Sequence, residues 1–186
     1  SHTGTELLIM IAALGSETIK IDNAALEPEI DELIRFLNEA GAKIERNGSA
    51  ITVKGVASLN QVKPFHIFSD RNEAVTFAVL AVATKGWVEI HGLKADYLTT
   101  FNDAMQKAGV LVEVKDDSIK YAYQKDIHPV SIITEPHPGF MTDWQPNWAV
   151  LMTQSNGDST IHETVFENRF SYVEELLKLG AQIEYM

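Results

Sequence analysis

Three near copies of one short segment recur along the chain: Ala40-Gly41-Ala42-Lys43-Ile44-Glu45, Ala108-Gly109-Val110-Leu111-Val112-Glu113 and Leu179-Gly180-Ala181-Gln182-Ile183-Glu184. A repeat limits the possible folds more than local propensity does, because each copy has to be one supersecondary unit that packs on its neighbours. Each segment follows apolar residues at helical spacing, Ile30, Leu33, Ile34 and Leu37, then Leu98, Phe101 and Met105, then Tyr172, Val173, Leu176 and Leu177. The glycine in each copy therefore marks the end of a helix. Beyond it, Lys43 to Arg46 and Ala50 to Gly55 read as one hairpin, and Val110 to Lys115 and Ser118 to Tyr123 as another, closed by Asn-Gly and Asp-Asp turns.

Upstream of each amphipathic helix lies an almost wholly apolar segment, Leu7 to Leu14, Ala74 to Ala83 and Trp148 to Met152. A helix apolar all round is expected to be buried. Short strands are expected between the two helices, around Thr18 to Ile21, Trp87 to Ile90 and Ser159 to Ile161, with lead strands near Phe65 to Ser69 and Val130 to Thr134. The unit is thus β-α-β-α-β-β, about sixty residues long, in an α/β (α+β) fold. The copies occupy residues 1–61, 62–125 and 126–186, with a linker at Leu59 to Pro64. The first copy lacks its lead strand and the third its closing strand, so the chain reads as a fragment. An alternative is that three such units close into one pseudo-threefold domain, and a repeated unit is by itself scaffold that names no chemistry.

Charge removes several classes of partner. There are 15 Lys plus Arg against 26 Asp plus Glu, for a net charge of -11, and the cations are scattered singly. A nucleic-acid binder needs a clustered basic surface, and an anionic membrane is disfavoured for the same reason. With no cysteine, disulfides and thiolate chemistry are excluded within this chain. The longest apolar stretches are roughly half the ~18 residues of a membrane span, and no basic segment precedes an apolar one at the N-terminus, so a soluble cytoplasmic protein is expected. His2, His66, His91, His128, His137 and His162 show no HExxH or i, i+4 pairing, so no metal site is expected.

Candidate site residues emerge where the copies disagree. Counting back eleven from each glycine gives Ile30, Leu98 and Arg169. A guanidinium at an otherwise apolar position, in Phe166-Glu167-Asn168-Arg169-Phe170 at an expected helix start, suits phosphate or carboxylate. The alternative is an ion pair with Glu167 or Glu174. The buried helices open on a polar residue followed by an acid, Thr5-Glu6, Asn72-Glu73 and Thr142-Asp143, where a carboxylate favours the helix dipole. Asp143 stands apart because it follows His137-Pro138-Gly139-Phe140-Met141 and precedes Pro146. It is a candidate general base, although a carboxylate needs support to act on an alcohol. Trp87, Trp144 and Trp148 read as core or cleft wall.

The segments Asp22-Asn23-Ala24-Ala25-Leu26-Glu27-Pro28-Glu29-Ile30, Asp70-Arg71-Asn72-Glu73-Ala74-Val75-Thr76-Phe77, His137-Pro138-Gly139-Phe140-Met141-Thr142-Asp143-Trp144-Gln145 and Glu163-Thr164-Val165-Phe166-Glu167-Asn168-Arg169-Phe170 resemble the enolpyruvate transferase family, and within it the UDP-N-acetylglucosamine enolpyruvyl (1-carboxyvinyl) transferases. The resemblance implies an inside-out α/β barrel of two lobes, each of three units. It also implies transfer of the enolpyruvyl group of phosphoenolpyruvate to the 3-hydroxyl of UDP-N-acetylglucosamine with release of phosphate, the first committed step of peptidoglycan synthesis. No metal or organic cofactor is implied.

By motif match, Asp143 falls on the family's base and sugar-hydroxyl contact and Val165 on a main-chain contact to the nucleotide sugar. Arg169 lies in the same cleft segment, and Ser1, His2 and Thr3 fall on a loop near the nucleotide. Residues 1–61 match the last unit of one lobe, and 62–125 and 126–186 two units of the other. The family's catalytic loop, with its cysteine and arginine, and its Lys-Asn pair correspond to sequence before Ser1, and a further phosphoenolpyruvate arginine to sequence after Met186. This segment alone is therefore expected to lack turnover and to need the remainder of a parent enzyme. Trp144 and Pro146-Asn147-Trp148 also depart from the family pattern, which bears on the sugar pocket. The alternative reading is a non-catalytic nucleotide-sugar-binding or scaffold module.

Overall fold

A computed structural model describes residues 1–60 and 63–184. The chain divides into two units, Ser1–Phe68 and Ser69–Met186. The expected boundary between 61 and 62 lies outside the described residues.

The first unit runs α1 (His2–Ala13), β1 (Thr18–Ile21), α2 (Pro28–Glu39), β2 (Lys43–Asn47) and β3 (Ala50–Lys54). β3 is central and antiparallel to both β1 and β2. Asn47 pairs with Ala50 across a two-residue turn in which Gly48 has φ 58°, the positive φ that the tight hairpin turn requires. Ile9, Ala13, Ile30, Leu37, Ile44, Ile51 and Val53 form the buried core between helices and sheet.

The second unit runs α3 (Arg71–Ala83), β4 (Trp87–His91), α4 (Thr99–Lys107), β5 (Leu111–Val114), β6 (Ser118–Ala122), β7 (Ile132–Ile133), α5 (Gln145–Met152), β8 (Ile161–His162) and α6 (Val173–Lys178). Its first sheet, β4-β6-β5, repeats the order and antiparallel sense of β1-β3-β2. β7 and β8 pair in parallel. The fold is mixed α/β, and among the described residues the strands do not close into a barrel.

The repeated glycines are helix stops of one geometry. Gly41, Gly109 and Gly180 have φ of 102°, 87° and 91°. The amides of Ala42, Val110 and Ala181 return to the carbonyls of Leu37, Met105 and Leu176, and those of the glycines to Asn38, Gln106 and Leu177. This is the paired 6→1 and 5→2 bonding of the Schellman motif, which needs a left-handed residue that glycine supplies without strain.

Four local expectations are corrected. Residues 65–69 are not a strand. Phe65 packs edge-on against Phe36 and beneath the Arg35 guanidinium, His66 gives its carbonyl to Arg35 Nη2 at 2.7 Å, and Glu32 Oε1 takes the Phe68 amide at 3.2 Å. Side chains thus satisfy backbone groups that a ladder would have used.

The apolar helices are not buried all round either. α1 buries Thr5, Ile9, Ala12 and Ala13 but leaves Leu7, Leu8, Met10, Ile11 and Leu14 exposed, and α3 leaves Phe77 and Leu80 exposed.

The first two apolar helices also start earlier than their Thr-Glu and Asn-Glu pairs, capped by the side chains of Ser1 and Asp70. Finally, Arg169 does not open a helix, since α6 begins four residues later and Asn168, just before it, sits at φ 58° in a turn.

Candidate functional site

The parallel ladder of β7 and β8 delivers the site segments. Thr134 is fully buried just after β7, and its amide donates to the His162 carbonyl at 2.9 Å. Thr164 answers with two bonds, its amide to Thr134 Oγ1 at 3.0 Å and its hydroxyl to the Thr134 carbonyl. This double lock sets residues 163–166 beside the turn that precedes α5.

Asp143 lies in that turn, a single 3-10 turn over Thr142–Trp144, and its flanking residues Thr142 and Trp144 are buried while its own side chain stays half exposed. The approach to it is closely packed. Glu135 accepts no slack from the loop: its amide donates to the Phe140 carbonyl at 2.9 Å and Gly139 donates to Pro136 at 2.8 Å. Thr100 Oγ1 holds the Gly139 carbonyl at 3.1 Å. A Cβ on Gly139 would come within 2.4 Å of Glu135 Cβ, so only glycine fits there without displacement.

The start of α3 braces the same loop. Arg71 is 1% exposed, and its Nη1 donates to His137 Nδ1 at 3.1 Å. Trp144 Nε1 donates to Asn72 Oδ1 at 2.9 Å. Trp144 and Trp148 are core residues, edge-on to Phe101 and Phe140, whereas Trp87 is exposed. The departures of sequence at Trp144 and Trp148 therefore fill the interior of this unit.

Arg169 reaches Asp143 directly, with Nη2 donating to Oδ1 at 2.5 Å and the guanidinium 5.2 Å from the centre of the Phe166 ring. Neither Glu167 nor Glu174, the alternatives from sequence, takes this role. Both groups of the pair remain partly exposed, at 30% for Arg169 and 46% for Asp143, so a fork of donors and a carboxylate face solvent together. Such a pair can receive an anionic or hydroxyl-bearing ligand with little rearrangement.

Glu163 was not among the candidates from sequence. Its Oε1 accepts the amides of Val165 at 2.7 Å and Phe166 at 2.9 Å, and its Oε2 accepts Thr142 Oγ1 at 2.8 Å and Gln145 Nε2 at 3.2 Å. Burial alone would push its carboxyl up, but the donors from Phe166, Thr142 and Val165 outweigh that and hold it below the ordinary carboxylate range. An acid two and three residues ahead of the amides it accepts resembles a helix cap, and that spacing was the signal available in the sequence. Gln145 is fully buried and its Oε1 has no partner among the described residues.

Ser1, His2 and Thr3 belong to the first unit. They form a helix start and not the expected loop: Ser1 Oγ accepts the Gly4 amide at 3.2 Å, and His2 Nε2 stands 3.3 Å from Glu6 Oε1. Among the described residues no helix is long and apolar enough to cross a membrane.

The chain matches the EPSP synthase (3-phosphoshikimate 1-carboxyvinyltransferase) family over residues 1–186. It is 43% identical over 182 residues to a UDP-N-acetylglucosamine 1-carboxyvinyltransferase of Desulforapulum autotrophicum, covering 97% of this chain and 43% of that one. It is 40% identical over 185 residues to the protein of that name from Bartonella quintana, with the same coverage of each. The chain thus spans less than half the length of the curated relatives it matches. The enolpyruvyl transferase NikO from Streptomyces tendae superposes with a TM-score of 0.84 at 24% identity, over 95% of this chain and 42% of that chain, and so shares the fold. Through the family match over residues 1–186, the chain belongs to the EPSP synthase family of enolpyruvyl transferases.

Proposed function

We propose that this chain is part of a transferase that moves the enolpyruvyl group of phosphoenolpyruvate to the 3-hydroxyl of UDP-N-acetylglucosamine and releases phosphate, the committing step of peptidoglycan synthesis. The observation that carries the reading is the meeting of Asp143 and Arg169, 26 residues apart in sequence, at a half-exposed ion pair. Relatives bearing the UDP-N-acetylglucosamine 1-carboxyvinyltransferase name at 40–43% identity support the substrate assignment.

In this reading Asp143 accepts the proton of the sugar hydroxyl as that oxygen bonds to C2 of phosphoenolpyruvate and the C2–C3 π pair takes a proton at C3; the bond from C2 to the phosphate oxygen then breaks and a proton leaves C3, which restores the double bond and releases phosphate. Arg169 holds the carboxylate in place and offers its remaining donors to the charge that develops nearby. The Val165 amide is committed to Glu163, so a main-chain contact to the nucleotide sugar at this position falls to its carbonyl oxygen. Ser1, His2 and Thr3 contact the nucleotide end. The exposed apolar faces of α1 and α3 are where the remainder of a longer enzyme packs, with each unit taking its place in an inside-out barrel lobe.

A chimera provides the test. The matching segment of the Desulforapulum autotrophicum relative is replaced by residues 1–186, and phosphate release from the two substrates is followed. Turnover that is abolished by Asp143→Asn is the expected result. A folded chimera that binds the nucleotide sugar without turnover would favour the non-catalytic module, and one that neither binds nor turns over would contradict the reading.

A further inference from the structure

The four donors gathered by Glu163 come from two separate segments. Val165 and Phe166 belong to the loop that carries Arg169, whereas Thr142 precedes Asp143 in the turn before α5 and Gln145 opens α5. From this geometry we infer that Glu163 is a positioning residue, a single carboxylate that fixes the Asp143 turn against the Val165–Arg169 loop and so sets the Asp143–Arg169 pair before any ligand arrives. The inference rests on the proposed function only for the identity of that ligand.

The physical case is one of competing constraints. Arg169 and Asp143 are both partly exposed, and an exposed ion pair contributes about 0.2–1 kcal/mol, too little to order two loops by itself. Two anchors that accept bonds through a charged group are stronger, because charge-assisted bonds are shorter and about twice as strong as neutral ones. Glu163 supplies four such bonds from a position between the segments. Thr134 and Thr164 already hold residue 164 from the other side, so the carboxylate has little freedom to follow if either segment drifts. The hydrogen bonds of the Glu163 carboxylate go to Thr142, Gln145, Val165 and Phe166, so it acts on Asp143 and Arg169 through Thr142 and the Val165–Phe166 backbone.

The polarity of the donors makes a discriminating pair of variants. The Val165 and Phe166 amides can only donate. The Thr142 hydroxyl can also accept, and Gln145, whose Oε1 is unpartnered, can present that acceptor in place of Nε2 when its amide turns over. A glutamine at 163 can therefore keep the bracket, with its oxygen on the two amides and its NH2 group on Thr142 and Gln145. An alanine cannot.

The test uses the full 186-residue chain and two readouts. The first needs no ligand: the Arg169 side-chain Nε–Hε resonance and the Asp143 carboxyl resonance are compared in the parent, Glu163→Gln and Glu163→Ala. The expected result is that both resonances move toward free side-chain positions in Glu163→Ala and stay near the parent in Glu163→Gln, with dispersed backbone spectra throughout. Unchanged resonances in a folded Glu163→Ala overturn the inference, whereas a Glu163→Gln that behaves like alanine supports it with the carboxylate's charge as the essential part. If Glu163→Ala does not fold, Thr142→Val, which removes one donor without changing shape, is read in the same way and is expected to shift the Asp143 resonance.

The second readout is titration with UDP-N-acetylglucosamine. Its apparent Kd is expected to weaken about tenfold in Glu163→Ala, the cost of roughly one bond to a charged group, and to be retained in Glu163→Gln. A parent chain that ignores the nucleotide sugar would count against the proposed function, while the ligand-free resonances still decide the role of Glu163.

Discussion

Arg169 donates to the Asp143 carboxylate at 2.5 Å, joining the one guanidinium that breaks the repeat to the acid that ends the His137–Thr142 loop. Because 30% of the Arg169 side chain and 46% of that of Asp143 remain exposed, the pair is worth about 0.2–1 kcal/mol to the fold. Arg169→Ala and Asp143→Asn are therefore expected to leave the melting temperature within about 4 °C of the parent while removing ligand response. Differential scanning calorimetry beside a binding titration checks both halves.

Acid stability should report Glu163. Its carboxyl is held below the ordinary value of 4.5 by donors from Phe166, Thr142 and Val165, against the opposing effect of burial. A depressed acid contributes stability that is fully present above pH 4.5 and is lost as the pH falls through the lower folded value. Glu163→Gln should flatten that part of the acid limb, so its denaturation midpoint falls less than that of the parent between pH 4.5 and 3. Urea midpoints across that range measure it.

Tyr172 gives the opposite sign at high pH. Burial, and then the charge of Glu163, push its phenol up to about 12, and its hydroxyl has no partner among the described residues. The neutral form is the one the fold favours, so this contribution is intact below pH 10 and is lost as the pH rises toward 12. Ultraviolet titration should show a late-ionising tyrosine that Tyr172→Phe removes, and that variant should be as stable as the parent at pH 7, because it deletes an unpaired polar group.

The loop before Asp143 has no room for a side chain at Gly139, where a Cβ would lie 2.4 Å from Glu135 Cβ and 3.0 Å from the Pro136 carbonyl. Gly139→Ala should cost about 1–3 kcal/mol, or about 2–4 °C of melting temperature for each kcal/mol in a chain of this size. Amide shifts should move at Asp143 more than at β1 to β3, which belong to the other unit.

Much of the fold was legible because period and punctuation agreed. The three glycines that follow helical spacing became three Schellman stops, and both hairpins formed with the register their turns imply. The lead strand at 65–69 was misread because Phe65, His66 and Phe68 have strand-like character locally, while their partners Glu32, Arg35 and Phe36 are thirty residues away in sequence. The apolar α1 and α3 show the limit of reading burial from composition, since apolar residues on every side say what a helix can bury and not what is present to cover it. Asp143 and Arg169 could be singled out one by one, but their contact could not. Nor could the bracket at Glu163, which depends on the two-residue ladder of β7 and β8 bringing residue 163 beside residue 142.

The most direct test of the account is a heteronuclear NMR titration of the 186-residue chain with UDP-N-acetylglucosamine, repeated with Arg169→Ala. The account predicts saturable shifts concentrated at Asp143, Val165 and Arg169 in the parent and their loss in a variant whose spectrum is otherwise unchanged. Well-dispersed spectra in which those residues do not move, or move equally in Arg169→Ala, would contradict it.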